Sequence, residues 1–84
     1  MRVRMLYFAD VREALGRGEE WLSLPPGVAT VGTLRQHLCA RGEPWTILAR
    51  RGTRFAVNRA VAAGVEDPIR DGDEIGVFPA ISGG

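Results

Sequence analysis

The sequence predicts an α+β fold in which one main helix packs on one face of a mixed sheet of four or five strands. Three observations support this prediction. The chain has 84 residues, enough for one domain with a small hydrophobic core. Both ends of the chain have the alternating apolar pattern of β-strands. Between them, the segment TVGTLRQHLCARG has the apolar spacing of a helix.

The first strand, RVRMLYFA, alternates with a period of two, so its two faces carry different side chains. The two faces are Val3, Met5 and Tyr7 on one side, and Arg4, Leu6 and Phe8 on the other. We expect the first of these faces to lie in the core.

The next segment, DVREALG, is predicted to be a short helix. Asp10 is placed as its N-cap, Glu13 completes a pattern similar to a capping box, and Gly16 suits the position after the last turn. The segment EEWLSL then has the pattern of a second strand. PPG ends this strand because proline lacks a backbone donor.

The main helix is predicted from Thr30, which serves as its N-cap, to Gly42, which ends it. Val31, Leu34 and Leu38 fall at positions i, i+3 and i+7 and form one apolar stripe. This stripe indicates the side of the helix that covers the sheet.

The second half of the chain consists of short elements. PWTILA predicts a short helix or turn that packs Trp45 and either Ile47 or Leu48. RFAVNRAVAA predicts two short strands around a turn, and two further turn signals in DPIRDGDEI precede the final strand EIGVFP. In that strand Ile75 and Val77 share one face, whereas Phe78 lies on the other.

This order of elements suits the β-grasp arrangement, in which the first and last strands lie side by side at the centre of the sheet. The predicted core then consists of the residues that face the main helix: Val3, Met5, Tyr7, Leu22, Leu24, Val31, Leu34, Leu38, Ile75 and Val77. The opposite face should be polar, because it meets water.

Instead, that opposite face carries apolar side chains. Leu6 and Phe8 lie on it in the first strand, Phe78 in the last strand, and Val61 in the strand or loop before it. An exposed apolar cluster on a small protein marks a docking surface for another protein. The alternative is that the segment RRGTRF folds over the cluster.

The chain ends in FPAISGG, and glycine gives the narrowest possible chain. The six residues from Pro79 to Gly84 span at most ~20 Å when extended. Such a tail can carry the terminal carboxylate into a site in another protein. Condensation with ATP would activate this carboxylate as an acyl adenylate, and a sulfur donor could convert the adenylate to a thiocarboxylate. The phosphate chemistry must come from a partner, because this chain has no phosphate-cradling loop.

Composition excludes several other classes of function. The net charge of +1 argues against a general nucleic-acid binder, and no apolar run approaches the length of a membrane span. One cysteine, Cys39, and one histidine, His37, cannot form a disulfide or a metal site. We therefore expect a cytoplasmic protein that binds no cofactor or metal itself. All eleven basic residues are arginine, so no lysine could capture an activated C-terminus. The basic segment with Arg50, Arg51 and Arg54 could steer an acidic partner, but it is interpreted as a solvated loop.

The motifs YFADVREALG, VGTLRQHL, AVNRAV, DGDEIGVFP and the terminal GG together resemble the small, sulfur-carrying subunit of molybdopterin synthase, over essentially the whole chain. The resemblance implies a ubiquitin-like β-grasp domain at residues 1–79 and a flexible tail at residues 80–84. It implies that Gly84 is adenylated and then holds sulfur as a thiocarboxylate. Ile81, Ser82 and Gly83 are the rest of the narrow tail. The resemblance also implies that Phe8, Val61 and Phe78 bind the partner, and the alternation along the first strand adds Leu6 to these partner-binding residues.

The resemblance also implies the partners. A large synthase subunit would receive the tail in a heterotetramer of two small and two large subunits, and sulfur would pass there to cyclic pyranopterin monophosphate. An adenylyltransferase similar to ubiquitin-activating enzymes would use ATP, and a cysteine desulfurase or rhodanese system would donate sulfur. This chain would then be a sulfur-donating subunit and not a catalyst alone. The alternatives are a carrier for thiamine or tRNA thiolation, a ubiquitin-like protein modifier, and a plain interaction domain.

Overall fold

The computed structural model describes residues 1–50 and 52–79. The helices and strands in these residues are, in chain order, β1 (Arg2–Tyr7), α1 (Ala9–Leu15), β2 (Glu19–Ser23), α2 (Val31–Cys39), a 3₁₀ helix (Trp45–Ala49), β3 (Thr53–Val57), β4 (Ala60–Val61) and β5 (Glu74–Pro79). Each of them matches a segment for which the sequence predicted that type of element, although α1 and β3 each begin one residue before the predicted segment.

The five strands form one mixed sheet in the order β2-β1-β5-β3-β4. The first and last strands are neighbours and run parallel, with Met5 beside Ile75 and Tyr7 beside Val77. The other pairs are antiparallel. This arrangement confirms the predicted β-grasp roll, since the two ends of the chain meet at the centre of the sheet.

The core lies between the sheet and α2. All ten residues predicted for it are buried, and Val3, Met5, Leu34, Leu38 and Ile75 have no exposed surface. The core also contains residues that the sequence did not assign to it: Val11, Leu15, Val28, Phe55 and Ile69. These side chains belong to α1, to β3 and to connections. Their inward orientation depends on how those pieces pack against the sheet, which periodicity alone does not give.

The helix α1 begins differently from the prediction. Its N-cap is Phe8, whose side chain makes no capping hydrogen bond, and Asp10 lies in the first turn. The prediction of Asp10 as N-cap was therefore wrong. The chain turns into the helix one residue earlier because Ala9 adopts a left-handed conformation with φ of 51°. The C-cap prediction was right, since Gly16 has φ of 73° and its N–H donates to the Arg12 carbonyl.

The helix α2 is capped as predicted. The Thr30 hydroxyl accepts from the backbone N–H of Thr33, and the Thr33 hydroxyl accepts from the backbone N–H of Thr30. The α-helical part ends at Cys39, three residues before the predicted end at Gly42. The N–H groups of Arg41 and Gly42 donate three residues back rather than four, so the last turn tightens before Gly42 reverses the chain with φ of 84°.

A polar cluster closes one end of the core. The Tyr7 hydroxyl donates to the Glu20 carboxylate at 2.7 Å, and Arg17 and Arg41 each donate to the same carboxylate. Both guanidinium groups also lie over the ring of Trp45, at 5.4 and 4.3 Å from its centroid. Burial, and then the Glu20 carboxylate, raise the pKa of Tyr7 above its usual range. The single tyrosine therefore stays protonated while the protein is folded.

Candidate functional site

The candidate site is the outer face of the sheet, the face opposite α2. Adjacent strands place their paired residues on one side, so the register gives the composition of this face. One row across it is Leu6, Gly76, Ala56 and Val61, and the next row toward the chain terminus contains Phe8, Phe78 and Arg54. The centre of the face is therefore apolar, as the sequence predicted.

Phe8 and Phe78 lie together at one end of this face. Phe8 follows β1 directly, and its backbone N–H donates to the Val77 carbonyl at 3.0 Å. Its ring lies over Gly76, where an added Cβ would come within 3.4 Å of the ring. Phe8 is nevertheless 48% exposed. Because β1 and β5 are parallel, this is also the end of the sheet at which β5 finishes with Pro79.

Val61 lies on the same face but at its far edge. It pairs with Ala56 across the β3–β4 hairpin and is 58% exposed. Two strands, β5 and β3, lie between Val61 and Leu6 in the same row. Val61 therefore extends the apolar area sideways, away from the two phenylalanines. The two left-handed residues Asn58 and Arg59 form the hairpin turn that carries it.

The segment that might have covered the face does not do so in its described residues. Thr53–Val57 is strand β3 within the sheet, and Arg54 lies directly opposite Phe78. The interpretation of Arg54 as part of a solvated loop was therefore wrong. Arg50 lies in the connection before β3, with its guanidinium 4.0 Å from the Asp10 carboxylate. Arg51 lies outside the described residues.

The charged side chains on the half of the outer face away from Phe78 are paired. Arg4 donates to the Glu19 carboxylate at 2.7 Å, and Arg59 lies 3.6 Å from Glu74. Arg2 stacks on the exposed ring of Trp21, with 4.5 Å between the guanidinium carbon and the ring centroid. The sequence analysis did not place Trp21 on this face, although its position opposite Arg4 follows from alternation along β2.

The half of the face near Phe78 has a different charge balance. Arg54 is exposed, and within residues 1–50 and 52–79 no carboxylate lies within 4.0 Å of it. On the other side of Phe8, a concavity of about 410 Å³ is lined by Leu6, Arg12 and Glu19 among others. The sequence analysis named Arg54 in a basic segment without placing it on this face, and it did not single out Arg12. Alternation in RFAV would have assigned Arg54 to this face.

The predicted tail residues Ile81, Ser82, Gly83 and Gly84 lie outside the described residues. In the part of the chain that is described, no helix has the length and apolar character needed to cross a membrane. Nor do three His, Cys, Asp or Glu side chains come together there as metal ligands. Cys39 is partly buried against the core, as expected for a small apolar side chain.

Comparison with known proteins identifies the family. The ThiS family matches residues 5–84. The molybdopterin synthase sulfur carrier subunit of Escherichia coli (strain K12) is 32% identical over 82 residues, which cover 98% of this chain and 99% of that protein.

Two solved structures give the same result for the fold. A putative molybdopterin converting factor, subunit 1, from Pyrococcus furiosus superposes with a TM-score of 0.79 at 27% identity, covering 96% of this chain and 99% of that one. A complex of subunits 1 and 2 of molybdopterin-converting factor from Helicobacter pylori contains a chain with a TM-score of 0.66 at 20% identity, and all of both chains is covered. At that identity the second likeness concerns the fold alone. Sequence and fold agree, and this chain belongs to the ThiS family.

Proposed function

We propose that this protein is the sulfur-carrier subunit of a molybdopterin synthase. Its C-terminal residue, Gly84, carries the sulfur, and the outer face of its sheet binds the large subunit. The Escherichia coli relative named as a sulfur carrier subunit matches along 99% of its length, which supports this function for the chain as a whole and not for one segment.

One structural observation carries the proposal. The parallel pairing of β1 and β5 places Phe8, whose exposed ring lies over Gly76, at the same end of the sheet where Phe78 and Pro79 finish β5. A partner that covers these two side chains is therefore next to the point from which residues 80–84 continue. Binding of the partner to this face would therefore bring the partner close to the C-terminal residues.

The chemistry follows from the terminal carboxylate. An ionised carboxylate reacts poorly with nucleophiles, so it must first attack the α-phosphorus of ATP and release pyrophosphate. A sulfide equivalent then displaces AMP from the acyl adenylate and leaves a thiocarboxylate. In the synthase, the thiocarboxylate sulfur passes to cyclic pyranopterin monophosphate, and water restores the carboxylate. Two carrier molecules in the thiocarboxylate form are needed for each dithiolene.

The partners are part of the proposal. The solved Helicobacter pylori complex joins subunit 1 to subunit 2, and we assign an equivalent large subunit to this chain, in an assembly of two small and two large subunits. An adenylyltransferase similar to ubiquitin-activating enzymes performs the ATP step. A cysteine desulfurase or rhodanese system supplies sulfur. The groups that catalyse transfer to the pterin then belong to the large subunit.

Intact-mass measurement tests the proposal. The chain is incubated with ATP, its cognate adenylyltransferase and a sulfur source, and its mass is measured before and after. We expect an increase equal to the mass difference between sulfur and oxygen, located at Gly84 by fragmentation. A variant that lacks Gly84 should show no increase. An unchanged mass with an adenylyltransferase shown to be active would contradict carriage of sulfur by this chain.

The alternative functions predict other outcomes in the same series. A ubiquitin-like modifier would appear as an adduct on lysine residues of other proteins. A carrier for thiamine or tRNA thiolation would gain sulfur but yield no molybdopterin with the large subunit and the pterin precursor. Both outcomes are visible by mass spectrometry of the reaction mixture.

A further inference from the structure

Arg54 is a cation on the outer face that has no carboxylate partner in the described part of this chain. It lies on β3, directly opposite Phe78. The other outer-face cations differ, because Arg4 pairs with Glu19 and Arg59 pairs with Glu74. Arg12, on the far side of Phe8, shares its concavity with the Glu19 carboxylate.

This position has an energetic consequence when a partner covers Phe78. A guanidinium beside the covered ring loses much of its hydration, and an unpaired charge taken out of water destabilises the complex. A partner that binds well must therefore supply an acceptor. A carboxylate is the acceptor that fits best, because it accepts two parallel hydrogen bonds from the planar guanidinium group.

We infer that the large subunit places a carboxylate against Arg54, at the rim of the apolar pocket that receives Phe78. The inference rests on the proposed function and adds a charge requirement to an otherwise apolar contact. Arg54 then determines specificity: it favours a partner with an acidic rim and disfavours one with a basic rim. A second copy of this chain is a poor occupant, because its own face carries Arg54 and Arg12 around the phenylalanines.

Binding of variants to the isolated large subunit tests this inference. Arg54→Glu reverses the charge, and Arg54→Met keeps most of the apolar stem without the charge. Arg70→Glu is the matched control, because Arg70 is exposed and precedes β5 at the opposite end of the sheet from Phe78. Phe78→Asp reports separately on whether the outer face is the docking surface. Circular dichroism and thermal unfolding verify that each variant is folded.

We expect Arg54→Glu to weaken binding by at least about tenfold at low salt, through both slower association and faster dissociation, and Arg54→Met to weaken it less. Arg70→Glu should stay within about twofold of the unchanged protein. Near 1 M salt, where charges are screened within ~3 Å, the difference between Arg54→Glu and Arg70→Glu should shrink.

Two other outcomes overturn different statements. If Phe78→Asp abolishes binding while Arg54→Glu behaves like Arg70→Glu, the carboxylate opposite Arg54 is refuted and the docking face stands. If Phe78→Asp and Arg54→Glu both bind normally, the docking face itself is refuted. A third outcome would make a second copy of this chain the occupant of the face. In that outcome the chain self-associates, Phe78→Asp abolishes the self-association, and the large subunit does not compete with it.

Discussion

The two faces of the sheet are built from the same strands but have opposite relations to water. Along β1, Met5 faces α2 and is 0% exposed, whereas Phe8 on the other face is 48% exposed. Along β5, Ile75 is fully buried, and Phe78 lies beside Phe8 on the outer face. The inner face holds the fold together. The outer face also carries apolar side chains at its centre, but no helix or loop of the described residues covers it.

This difference separates stability from function. Burial of apolar area against α2 stabilises the domain, so the inner face needs no further explanation. An exposed phenylalanine gains little for the folded monomer, and its position at the end of β1 indicates a contact outside the chain. Substitutions on the two faces should therefore have separable effects on unfolding and on binding.

The largest expected effect concerns the inner face. Ile75→Ala removes a buried side chain at the centre of the sheet and leaves a cavity, so the free energy of unfolding should fall by ~2–5 kcal/mol. Urea denaturation gives this value. The fraction that stays folded should bind the large subunit normally. A loss of affinity in fully folded protein would show that the two faces are not separable.

The next effect concerns the outer face. Phe8→Asp should weaken binding to the large subunit by about 30-fold or more, the change typical of an aromatic hot spot. It should not destabilise the fold, because Phe8 is the N-cap of α1 and aspartate is a favoured N-cap residue. Val65→Asp is the control, since Val65 is 51% exposed and packs against Gly32 of α2. Equal affinities of the two variants would contradict the docking face.

A smaller effect concerns the one tyrosine of the inner face. The raised pKa of Tyr7 means that the unfolded chain releases the phenolic proton near pH ~10, before the folded protein does. The unfolded state then binds fewer protons, so stability falls as pH rises above ~10, by at most ~1.4 kcal/mol per pH unit. Below pH ~10 this contribution is fully present.

Tyr7→Phe should abolish this alkaline slope and cost about 1 kcal/mol at neutral pH, because the Glu20 carboxylate loses a donor but keeps Arg17 and Arg41. Urea titrations between pH 8 and 11 measure the slope, and tyrosinate absorbance of the folded protein should stay low throughout. An identical slope in both proteins would assign the effect to another group.

The smallest effect concerns Ala9, at the junction between β1 and α1. Ala9 has φ of 51°, a conformation that costs an L-residue ~1 kcal/mol and glycine almost nothing. Ala9→Gly should therefore leave the melting temperature unchanged or raise it. Ala14→Gly, within α1, should lower stability by about 1 kcal/mol. Equal losses in the two variants would show that Ala9 is not strained.

Much of the fold was predictable because strand alternation and the stripe on α2 are strong local signals. Thr30 and Gly16 were placed correctly for the same reason, since capping residues act within one turn. The N-cap of α1 was not predicted correctly, because alanine at position 9 gives no signal in the sequence that its backbone is left-handed. The burial of Val28 and Ile69, which lie in connections, also depends on packing between distant segments rather than on local pattern.

The site was predictable to a similar extent. The outer-face positions of Leu6, Phe8 and Phe78 followed from alternation in two strands that were expected to be neighbours. The place of Arg54 opposite Phe78 was not predicted, because it depends on the register between β3 and β5. Register is fixed by the whole sheet and by the turns, and sequence pattern alone leaves it open.

The most direct test of sulfur carriage follows the sulfur atom itself. The chain is converted to the thiocarboxylate with an isotopically labelled sulfur source, purified, and mixed with the large subunit and cyclic pyranopterin monophosphate. We predict that the label leaves Gly84 and appears in molybdopterin, and that Phe8→Asp slows this transfer while Val65→Asp does not. Labelled sulfur that stays on the carrier, with a large subunit proven active by another carrier, would contradict the proposed function.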